Sequence, residues 1–195
     1  MNSINNLIFA LFLLIANLSY SLPLCDGNFK LACFGTIVHK NGEKYVGEIK
    51  NYKYNGAGTY LYQNGNIYEG QFLNGIQNGE GTFTFANGDK YEGTFKDGLY
   101  HGKGKSIFSD GEIYEGDYVN DLPHGNGTQT FVSGDVYTGE FKDGFMNGQG
   151  VFKYANGDKY EGEFKNNLYE GIGVYTFANG ETQVGKFKNH KFIGK

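Results

Sequence analysis

Tyr68–Lys90, YEGQFLNGIQNGEGTFTFANGDK, is the stretch that decides the fold, because it recurs along the chain in steps of 23 residues. The next copy runs from Tyr91 and reads YEGTFKDGLYHGKGKSIFSDGEI. A fixed period of this size is typical of repeat architectures, in which each unit packs mainly on its neighbours. The other copies begin at Tyr45, Tyr114, Tyr137 and Tyr160, and a truncated last copy begins at Gln183.

The composition of the 195-residue chain favours an ordered array over a disordered glycine-rich segment. The chain has 32 glycines, but it also has 17% aromatic residues and only 2 prolines. Disordered chains are poor in aromatic residues, and these glycines are periodic. The formal net charge is −4 and every cationic side chain is a lysine. An acidic chain without the guanidinium fork of arginine is a poor candidate for nucleic-acid binding.

The first 21 residues differ from the rest and predict a secretory signal peptide. An apolar run from Leu7 to Leu18 is followed by Ser19-Tyr20-Ser21, a small-x-small pattern suited to cleavage. The run is shorter than the roughly 20 apolar residues that span a bilayer comfortably, so an uncleaved anchor is the less favoured alternative. We therefore expect the protein to be exported, to a periplasmic or extracellular location, with possible membrane association.

Residues 22–44 precede the first full copy and contain the only two cysteines, Cys25 and Cys33. In an exported protein a close, even pair predicts a disulfide. Because terminal repeats need capping, we expect residues 22–44 to form a cysteine-containing half-repeat that covers the end of the array.

Alternation with a period of two predicts that each copy contains two β-strands. Asn-Gly pairs such as Asn64-Gly65 predict two-residue hairpin turns, and we expect the other connection, such as Lys96 to His101, to be longer. The predicted fold class is all-β: an elongated, single-layer antiparallel β-meander of stacked 23-residue hairpin repeats.

The alternation also places the aromatic residues on one face of the sheet. Gly70, Gly79 and Gly81 are predicted to share that face and leave room for the rings. Without helices to cover it, this face is the candidate interaction surface, and the face that carries Glu69, Thr82 and Glu92 is expected to be solvated. The candidate residues are Tyr68, Phe72, Phe83, Phe85, Tyr91, Phe95, Phe108, Tyr114, Tyr137, Phe141, Phe152, Tyr160, Phe164, Tyr175 and Phe177.

The pattern Y-x-G-x-[FY]-x-x-G-x-x-x-G-x-G-x-[FY] resembles the MORN repeat (membrane occupation and recognition nexus). The resemblance covers Cys33 to Lys195, with six full copies over residues 45–182 and a truncated one over 183–195. It implies an elongated rod that acts in protein interaction, self-association or phospholipid contact. The positions that depart from the pattern are Tyr52, Asp121, Asn167 and His190 in place of a loop glycine, and Ser106 and Gln129 in place of a strand aromatic.

No pattern in the chain predicts catalysis. The sequence has no phosphate-binding loop of the Walker type and no Ser/His/Asp arrangement that departs from the repeat. Asp89, Asp135 and Asp158 could bind Ca²⁺, but they follow hairpin turns and turn chemistry accounts for them. We expect no enzyme activity, no cofactor, no metal and no small-molecule substrate.

Three functions remain as hypotheses. The favoured one is a scaffold that binds a protein partner, or a second copy of itself, through the aromatic face and the sheet edges. The alternative is a phospholipid-binding module, with a basic cluster near the C-terminus as its contact to anionic headgroups. A glycan binder or enzyme is the least favoured. The candidate lipid contacts are Lys186, Lys188, Lys191 and Lys195.

Overall fold

The computed structural model describes residues 22–195, so the predicted signal peptide lies outside the described residues. These residues form one open sheet of 15 strands in which each strand is antiparallel to the next in sequence. No helix of the described part of the chain is long and apolar enough to cross a membrane. The strands are β1 (Cys33–Val38), β2 (Lys44–Lys50), β3 (Lys53–Leu61), β4 (Ile67–Leu73), β5 (Ile76–Thr84), β6 (Lys90–Lys96), β7 (Leu99–Ile107), β8 (Ile113–Val119), β9 (Leu122–Thr130), β10 (Val136–Lys142), β11 (Phe145–Lys153), β12 (Lys159–Lys165), β13 (Leu168–Thr176), β14 (Thr182–Lys188) and β15 (Lys191–Gly194).

The predicted fold class is confirmed: the molecule is a single-layer β-meander in which each repeat adds two strands. With a strand spacing of about 4.8 Å, the sheet extends for about 67 Å along the direction of its hydrogen bonds. Each strand is hydrogen-bonded to the strands before and after it in sequence, as expected for a repeat array.

The positions of the tight and wide turns are the reverse of those predicted. The tight two-residue turn is the one that joins β4 to β5 at Asn74-Gly75, where φ is 54° and 94°. Positive φ at both positions defines a type I′ turn, whose twist matches that of the flanking strands. The N–H of Gly75 also donates to the carbonyl of Tyr54 at 2.9 Å, so the tight turn is hydrogen-bonded to the start of β3 in the preceding repeat.

The Asn-Gly pairs instead occupy the wider turns. In the turn after β3, the N–H of Gly65 donates to the carbonyl of Tyr62 and the N–H of Tyr62 donates to the carbonyl of Asn66. Gly65 has a φ of 88°, whereas Asn64 is not in the left-handed region. This is a three-residue connection in which a type I turn is followed by a glycine bulge.

Two of the non-glycine residues in the tight turns stabilise them by hydrogen bonds. Asp121 and Asn167 both have a φ of 69°, which is unfavourable for residues with a Cβ. Their Oδ1 atoms accept hydrogen bonds from the N–H groups of Tyr100 at 2.7 Å and Met146 at 2.8 Å. These contacts to the preceding repeat help to offset the backbone strain.

A continuous row of glycines crosses the sheet at right angles to the strands. Each of β1 to β14 contributes one glycine, which is paired with the corresponding glycine of the neighbouring strand, and we call this row the glycine seam. Its members are Gly35, Gly47, Gly58, Gly70, Gly81, Gly93, Gly104, Gly116, Gly127, Gly139, Gly150, Gly162, Gly173 and Gly185.

The glycine seam exists because the first tyrosine of each repeat lies flat on it. The hydroxyl of Tyr68 donates to the carbonyl of Gln71 at 2.9 Å, which holds the ring over the sheet. A Cβ on Gly81 would lie 2.5 Å from Oη of Tyr68, and a Cβ on Gly70 would lie 2.6 Å from the same atom. The predicted role of Gly70 and Gly81 is therefore confirmed.

The prediction for Gly79 is wrong. A Cβ on Gly79 would meet the side chain of Gln71, which lies on the opposite face from the rings. Gly79 has a φ of 97° and lies where the pairing of β4 with β5 shifts register. Its column is glycine because a bulge with positive φ is needed there, and not because the rings need room.

The aromatic face covers itself. Tyr68 is 0% exposed although no second layer lies over the sheet. The rings of Phe72 and Phe95 approach it edge-on, with centroids 5.0 Å and 4.9 Å away and interplanar angles of 88° and 81°. Edge-to-face contacts of this kind are favourable beyond the burial of area. Because each phenylalanine bridges two tyrosines, the core is continuous along the sheet.

The N-terminal cap has the predicted disulfide. Cys25 and Cys33 are bonded, with their Cα atoms 5.0 Å apart. The N–H of Cys25 donates to the carbonyl of Phe34, and the N–H of Phe34 donates to the carbonyl of Pro23. The segment before β1 thus covers part of the first sheet edge, which would otherwise expose unpaired backbone groups.

Candidate interaction surface

Most of the predicted interaction face is core. Nine of its fifteen residues are at most 5% exposed, so their rings are unavailable to a partner in this conformation. The physical reason is that the rings stack on the glycine seam and cover each other. The nine buried residues are Tyr68, Phe72, Tyr91, Phe95, Tyr114, Tyr137, Phe141, Tyr160 and Phe164.

The aromatic surface that remains open follows the side of the sheet that carries the wide turns. We call it the outer aromatic row. Each repeat contributes the first residue of the wide turn, and all but the third and fourth also contribute the last aromatic of a long strand. All members are half-buried or exposed. They are Tyr60, Tyr62, Phe83, Phe85, Phe108, Phe131, Phe152, Tyr154, Tyr175 and Phe177.

Tyr60, Tyr62, Phe131 and Tyr154 belong to this row but were not among the sequence-predicted residues. They occupy the same 23-residue columns as the predicted Phe83, Phe85 and Phe177. The 23-residue period of the sequence would therefore have been enough to group them with the predicted residues. Burial in three dimensions was needed to show that these columns, and not those of the core rings, remain open.

The outer aromatic row is divided into two clusters. In the N-terminal cluster the centroids of Tyr60 and Tyr62 are 4.6 Å apart, those of Tyr62 and Phe83 5.6 Å, and those of Phe83 and Phe85 4.7 Å. The rings are inclined to each other by 41° to 50°, so neighbouring rings enclose shallow wedges.

The C-terminal cluster repeats this arrangement. Phe131 and Phe152 lie 5.6 Å apart, and Phe152 and Tyr154 lie 4.7 Å apart. Tyr154 and Tyr175 follow at 6.2 Å, and Tyr175 and Phe177 at 4.8 Å. The cluster therefore offers five rings over consecutive repeats.

The gap between the clusters lies where the sequence departs from the repeat. Ser106 takes the place of a strand aromatic and is 9% exposed. Its hydroxyl is 2.6 Å from the hydroxyl of Tyr118, which replaces the phenylalanine found in the equivalent position of most repeats. This contact gives both buried hydroxyls a partner, so the core is intact although the outer aromatic row is interrupted.

Each cluster borders a hollow on the same face. The N-terminal hollow is about 590 Å³ and is lined by Tyr62, Phe83, Phe85 and Phe95, among others. The C-terminal hollow is about 420 Å³. Its lining includes Tyr154, Tyr175, Phe177 and Phe187, which are the residues four repeats further along. The two hollows therefore occupy equivalent places in the repeat, with Gln77 and Gly98 of the N-terminal hollow replaced by Tyr169 and His190 in the C-terminal one.

A row of acidic side chains follows the outer aromatic row. The backbone N–H of each wide-turn ring residue donates to the carbonyl of the residue four positions on, as in Phe85 to Asp89 and Tyr154 to Asp158. We call the acidic members of that column the wide-turn acids. They are Glu43, Asp89, Glu112, Asp135, Asp158 and Glu181.

Hydrogen bonds from tyrosines of the outer aromatic row reach two of these acids. The hydroxyl of Tyr175 donates to Asp158 at 2.8 Å, and the hydroxyl of Tyr60 donates to Glu43 at 2.7 Å. The bond from Tyr175, together with the N–H of Ala178, lowers the pKa of the Asp158 carboxyl below its usual value. A side-chain bond from Asn41 and the bond from Tyr60 lower the pKa of the Glu43 carboxyl. Both shifts favour the charged form of the carboxylate beside the rings.

The opposite, polar face forms a shallow groove of about 1390 Å³ along the glycine seam. Lys103 and Asp117 form an ion pair across it at 2.7 Å, and Lys105 and Glu115 form another at 3.2 Å. Asp117 also accepts a hydrogen bond from the N–H of Asn126 at the bulge of the next strand. The charges of this face therefore largely satisfy each other and the backbone.

The four lysines predicted as lipid contacts, Lys186, Lys188, Lys191 and Lys195, are all exposed. Lys188 is paired directly with Lys191 across the last turn. Like charges in this arrangement repel and also discourage the pairing of a further strand with β15.

Residues 22–195 contain no group of three or more His, Cys, Asp or Glu side chains that could hold a metal ion. Asp89 and Asp158 instead use their carboxylates within the turns, where each accepts the N–H of a residue in the next wide turn. This agrees with the interpretation of these residues as turn formers.

Comparison with known families agrees with the repeat geometry. The family model for the MORN repeat matches six consecutive segments: 45–67, 68–90, 91–113, 114–136, 137–159 and 160–182. The chain belongs to the MORN-repeat family. None of the curated proteins compared with this MORN array matches it significantly.

Among solved structures, the MORN array is similar to the TCP domain of SAS-4 (dCPAP) of Drosophila melanogaster, in complex with a proline-rich motif of Ana2 (dSTIL). That pair has a TM-score of 0.44 and 14% identity over 88% of this chain and 99% of the other. The G-box domain of the microcephaly protein CPAP has a TM-score of 0.34 and 11% identity over 80% and 99%. The wild-type TCP10 domain of Danio rerio CPAP has a TM-score of 0.21 and 14% identity over 77% and 98%.

Proposed function

We propose that this MORN array is a non-enzymatic, exported scaffold that binds a protein partner through the outer aromatic row. The observation that carries the proposal is the pair of equivalent aromatic clusters with their hollows, held four repeats apart on one sheet. Half-buried rings beside a concavity are the surfaces that protein interfaces use most effectively, because they add contact area at little cost in conformational entropy. The buried rings serve the fold and are not part of the proposed interface.

Export is supported by the disulfide between Cys25 and Cys33, since such bonds persist in oxidising compartments. The test is the redox state of these cysteines in the native cells. Trapping with a thiol reagent before lysis should leave both cysteines unlabelled until a reductant is added. Labelling without reduction would contradict export.

The proposed interface can be tested by site-specific photocrosslinking in the native cells. A photoreactive phenylalanine analogue at Phe85 or Phe177 should give a discrete protein adduct, because both side chains border a hollow. The matched control is Phe145, which is 48% exposed on the opposite side of the sheet, next to a tight turn.

The adduct at Phe177 should disappear when Tyr154→Ser removes a neighbouring ring, whereas Ile172→Ser on the polar face should leave it unchanged. An adduct that forms equally from Phe145, or that survives Tyr154→Ser, would contradict binding through the outer aromatic row.

A phospholipid-binding module is the second candidate, favoured by the basic end of the sheet. Lys186 is paired with Ile172, which is 61% exposed, and Val184 on the same strand is 50% exposed. Lysines beside exposed aliphatic side chains suit an anionic membrane surface. Co-sedimentation with anionic vesicles should then decrease as salt rises, and Lys186→Glu with Lys188→Glu should abolish it. Recovery only in the supernatant at every salt concentration would exclude this candidate.

A further inference from the structure

We propose that the partner segment bound by the outer aromatic row is an extended, proline-rich stretch that carries regularly spaced Lys or Arg side chains. This rests on the proposed function, since it names the chemistry of the partner at that same surface. The inference follows from the period of the array, the arrangement of the rings and the charge beside them.

The period of the array matches that of a polyproline II helix. One repeat advances the outer aromatic row by two strands, or about 9.6 Å. A polyproline II helix has three residues per turn and a rise of 3.1 Å, so the same side returns after about 9.3 Å. The mismatch is about 0.3 Å per repeat. A bound β-strand would return the same side every 6.6–6.8 Å and would lose register with the rings after one repeat.

The rings provide the surface that such a helix needs. In the N-terminal cluster, Tyr62 is inclined by 50° to Tyr60 and by 41° to Phe83, which opens a wedge on either side of its ring. Grooves between aromatic rings are the general means by which proline-rich segments are recognised, because a preformed helix loses little entropy on binding.

The same cluster can donate hydrogen bonds to the carbonyls of a polyproline II backbone, which have no internal partner. Nε2 of Gln77 donates to Oη of Tyr62 at 2.6 Å. The hydroxyl proton of Tyr62 therefore points elsewhere, and both residues line the N-terminal hollow. A carbonyl of the bound segment would accept that proton.

The wide-turn acids determine the charge of the segment. They recur with the same 23-residue period as the rings, with Asn66 as the one exception. Two of them contact the rings directly: Asp158 contacts Tyr175 and Glu43 contacts Tyr60. Beside the C-terminal cluster, a cation at every third position of the segment would meet one carboxylate per repeat. Beside the N-terminal cluster, Asn66 takes the place of one acid, so the cations would meet Glu43 and Asp89 on either side of it. A segment with Asp or Glu at those positions would be repelled.

Two segments should bind per chain, because the outer aromatic row is interrupted at Ser106 and Gln129. Each cluster extends over about two repeats, or about 19 Å, which corresponds to about six residues of polyproline II helix. The two sites lie four repeats apart, or about 38 Å along the sheet.

The test uses the full chain and a labelled nine-residue peptide of three Pro-Pro-Lys units, with titration calorimetry to count sites. Two sites are expected. Phe85→Ser should leave only the C-terminal site and Phe177→Ser only the N-terminal site, and the double variant should show no binding. The control Phe145→Ser should keep both sites. Unchanged circular dichroism should accompany every variant used.

Two control peptides separate the proposed recognition from charge alone. Three Gly-Gly-Lys units keep the charge without the helix, and three Pro-Pro-Glu units keep the helix with the opposite charge. Both should bind at least tenfold more weakly than the Pro-Pro-Lys peptide. Equal binding of the Gly-Gly-Lys peptide, or no binding of the Pro-Pro-Lys peptide, would overturn the inference. A crosslinked adduct at Phe177 in the same protein would then show that the proposed function survives and only the partner chemistry is wrong.

Discussion

Two paired residues of the glycine seam, Gly81 and Gly70, should respond differently to substitution, because a tyrosine ring restricts the first and both the ring and the backbone restrict the second. The three atoms nearest to a Cβ on Gly81 would all belong to Tyr68, with Oη at 2.5 Å and Cε2 and Cζ at 2.7 Å. A Cβ on Gly70 would meet Oη of Tyr68 at 2.6 Å, but also the backbone, with the Cα of Gly81 at 2.5 Å and the carbonyl oxygen of Glu80 at 2.7 Å. A ring can be removed by substitution, whereas the backbone of a paired strand cannot.

The loss in free energy of unfolding expected for Gly81→Ala follows from the interactions that the Tyr68 ring would lose. Overpacking a filled core costs about 1–3 kcal/mol. Displacing the ring also breaks the hydrogen bond from its hydroxyl to Gln71, worth about 1 kcal/mol. Replacement of glycine by alanine returns about 0.5–1 kcal/mol through the unfolded chain. We expect a net loss of about 2–3 kcal/mol in the free energy of unfolding.

The assay is a double-mutant cycle measured by urea unfolding and far-ultraviolet circular dichroism. In a Tyr68→Leu background, Gly81→Ala should cost less than about 0.5 kcal/mol, because the shorter side chain does not extend over Gly81. Gly70→Ala should stay destabilising by at least about 2 kcal/mol in the same background. Equal costs of Gly81→Ala in the two backgrounds would refute the view that the tyrosine ring is the reason why this position is glycine.

Three further predictions follow from the turns, the cap and the core tyrosines. Gly75→Ala should lower the free energy of unfolding by about 1–2 kcal/mol, because φ is 94° and alanine is strained in that conformation. Nothing lies within 4 Å of the added Cβ, so no steric clash adds to this cost, and an unchanged denaturation midpoint would contradict the prediction. Cys25→Ser should lower stability by about 2.5 kcal/mol through the loss of a short closed loop, and limited proteolysis should then begin in residues 22–44; cleavage elsewhere first would argue against a capping role. Burial raises the pKa of Tyr118 and Tyr160 to about 12, so their contribution to stability is intact below the unfolded value near pH 10 and is lost as the pH rises towards 12. Phenolate absorbance and the loss of circular dichroism should therefore rise together above pH 10, and titration of all tyrosines near pH 10 without unfolding would contradict the burial.

The candidate site was only partly predictable from the sequence. Periodicity placed Phe83 and Phe177 on the ring face, and both remain open at the surface. It placed Tyr68 and Phe95 on the same face, but these are 0% and 2% exposed. Alternation along a strand specifies the face of a residue, and it does not specify whether neighbouring rings will cover that residue.

The turns show a second limit of sequence reasoning. The Asn-Gly pair at Asn64-Gly65 is a strong local sign of a two-residue hairpin, yet the tight turns lie at Asn74-Gly75 and its equivalents. Both pairs can adopt positive φ, so local propensity does not distinguish them. The register between β4 and β5 decides which pair forms the tight turn. The turn must join these strands in a pairing that also accommodates the bulge at Gly79.

By itself, the sequence determined the family, the strand order and the position of the disulfide, because all three depend on contacts between residues that are near in sequence. Only the tertiary structure decided which aromatic columns are core and which form the outer aromatic row. That division arises because the rings lying on the glycine seam are packed edge-on by rings from both neighbouring repeats. The rings beside the wide turns have neighbours in the row, but within residues 22–195 nothing covers them from beyond it, so they remain partly exposed.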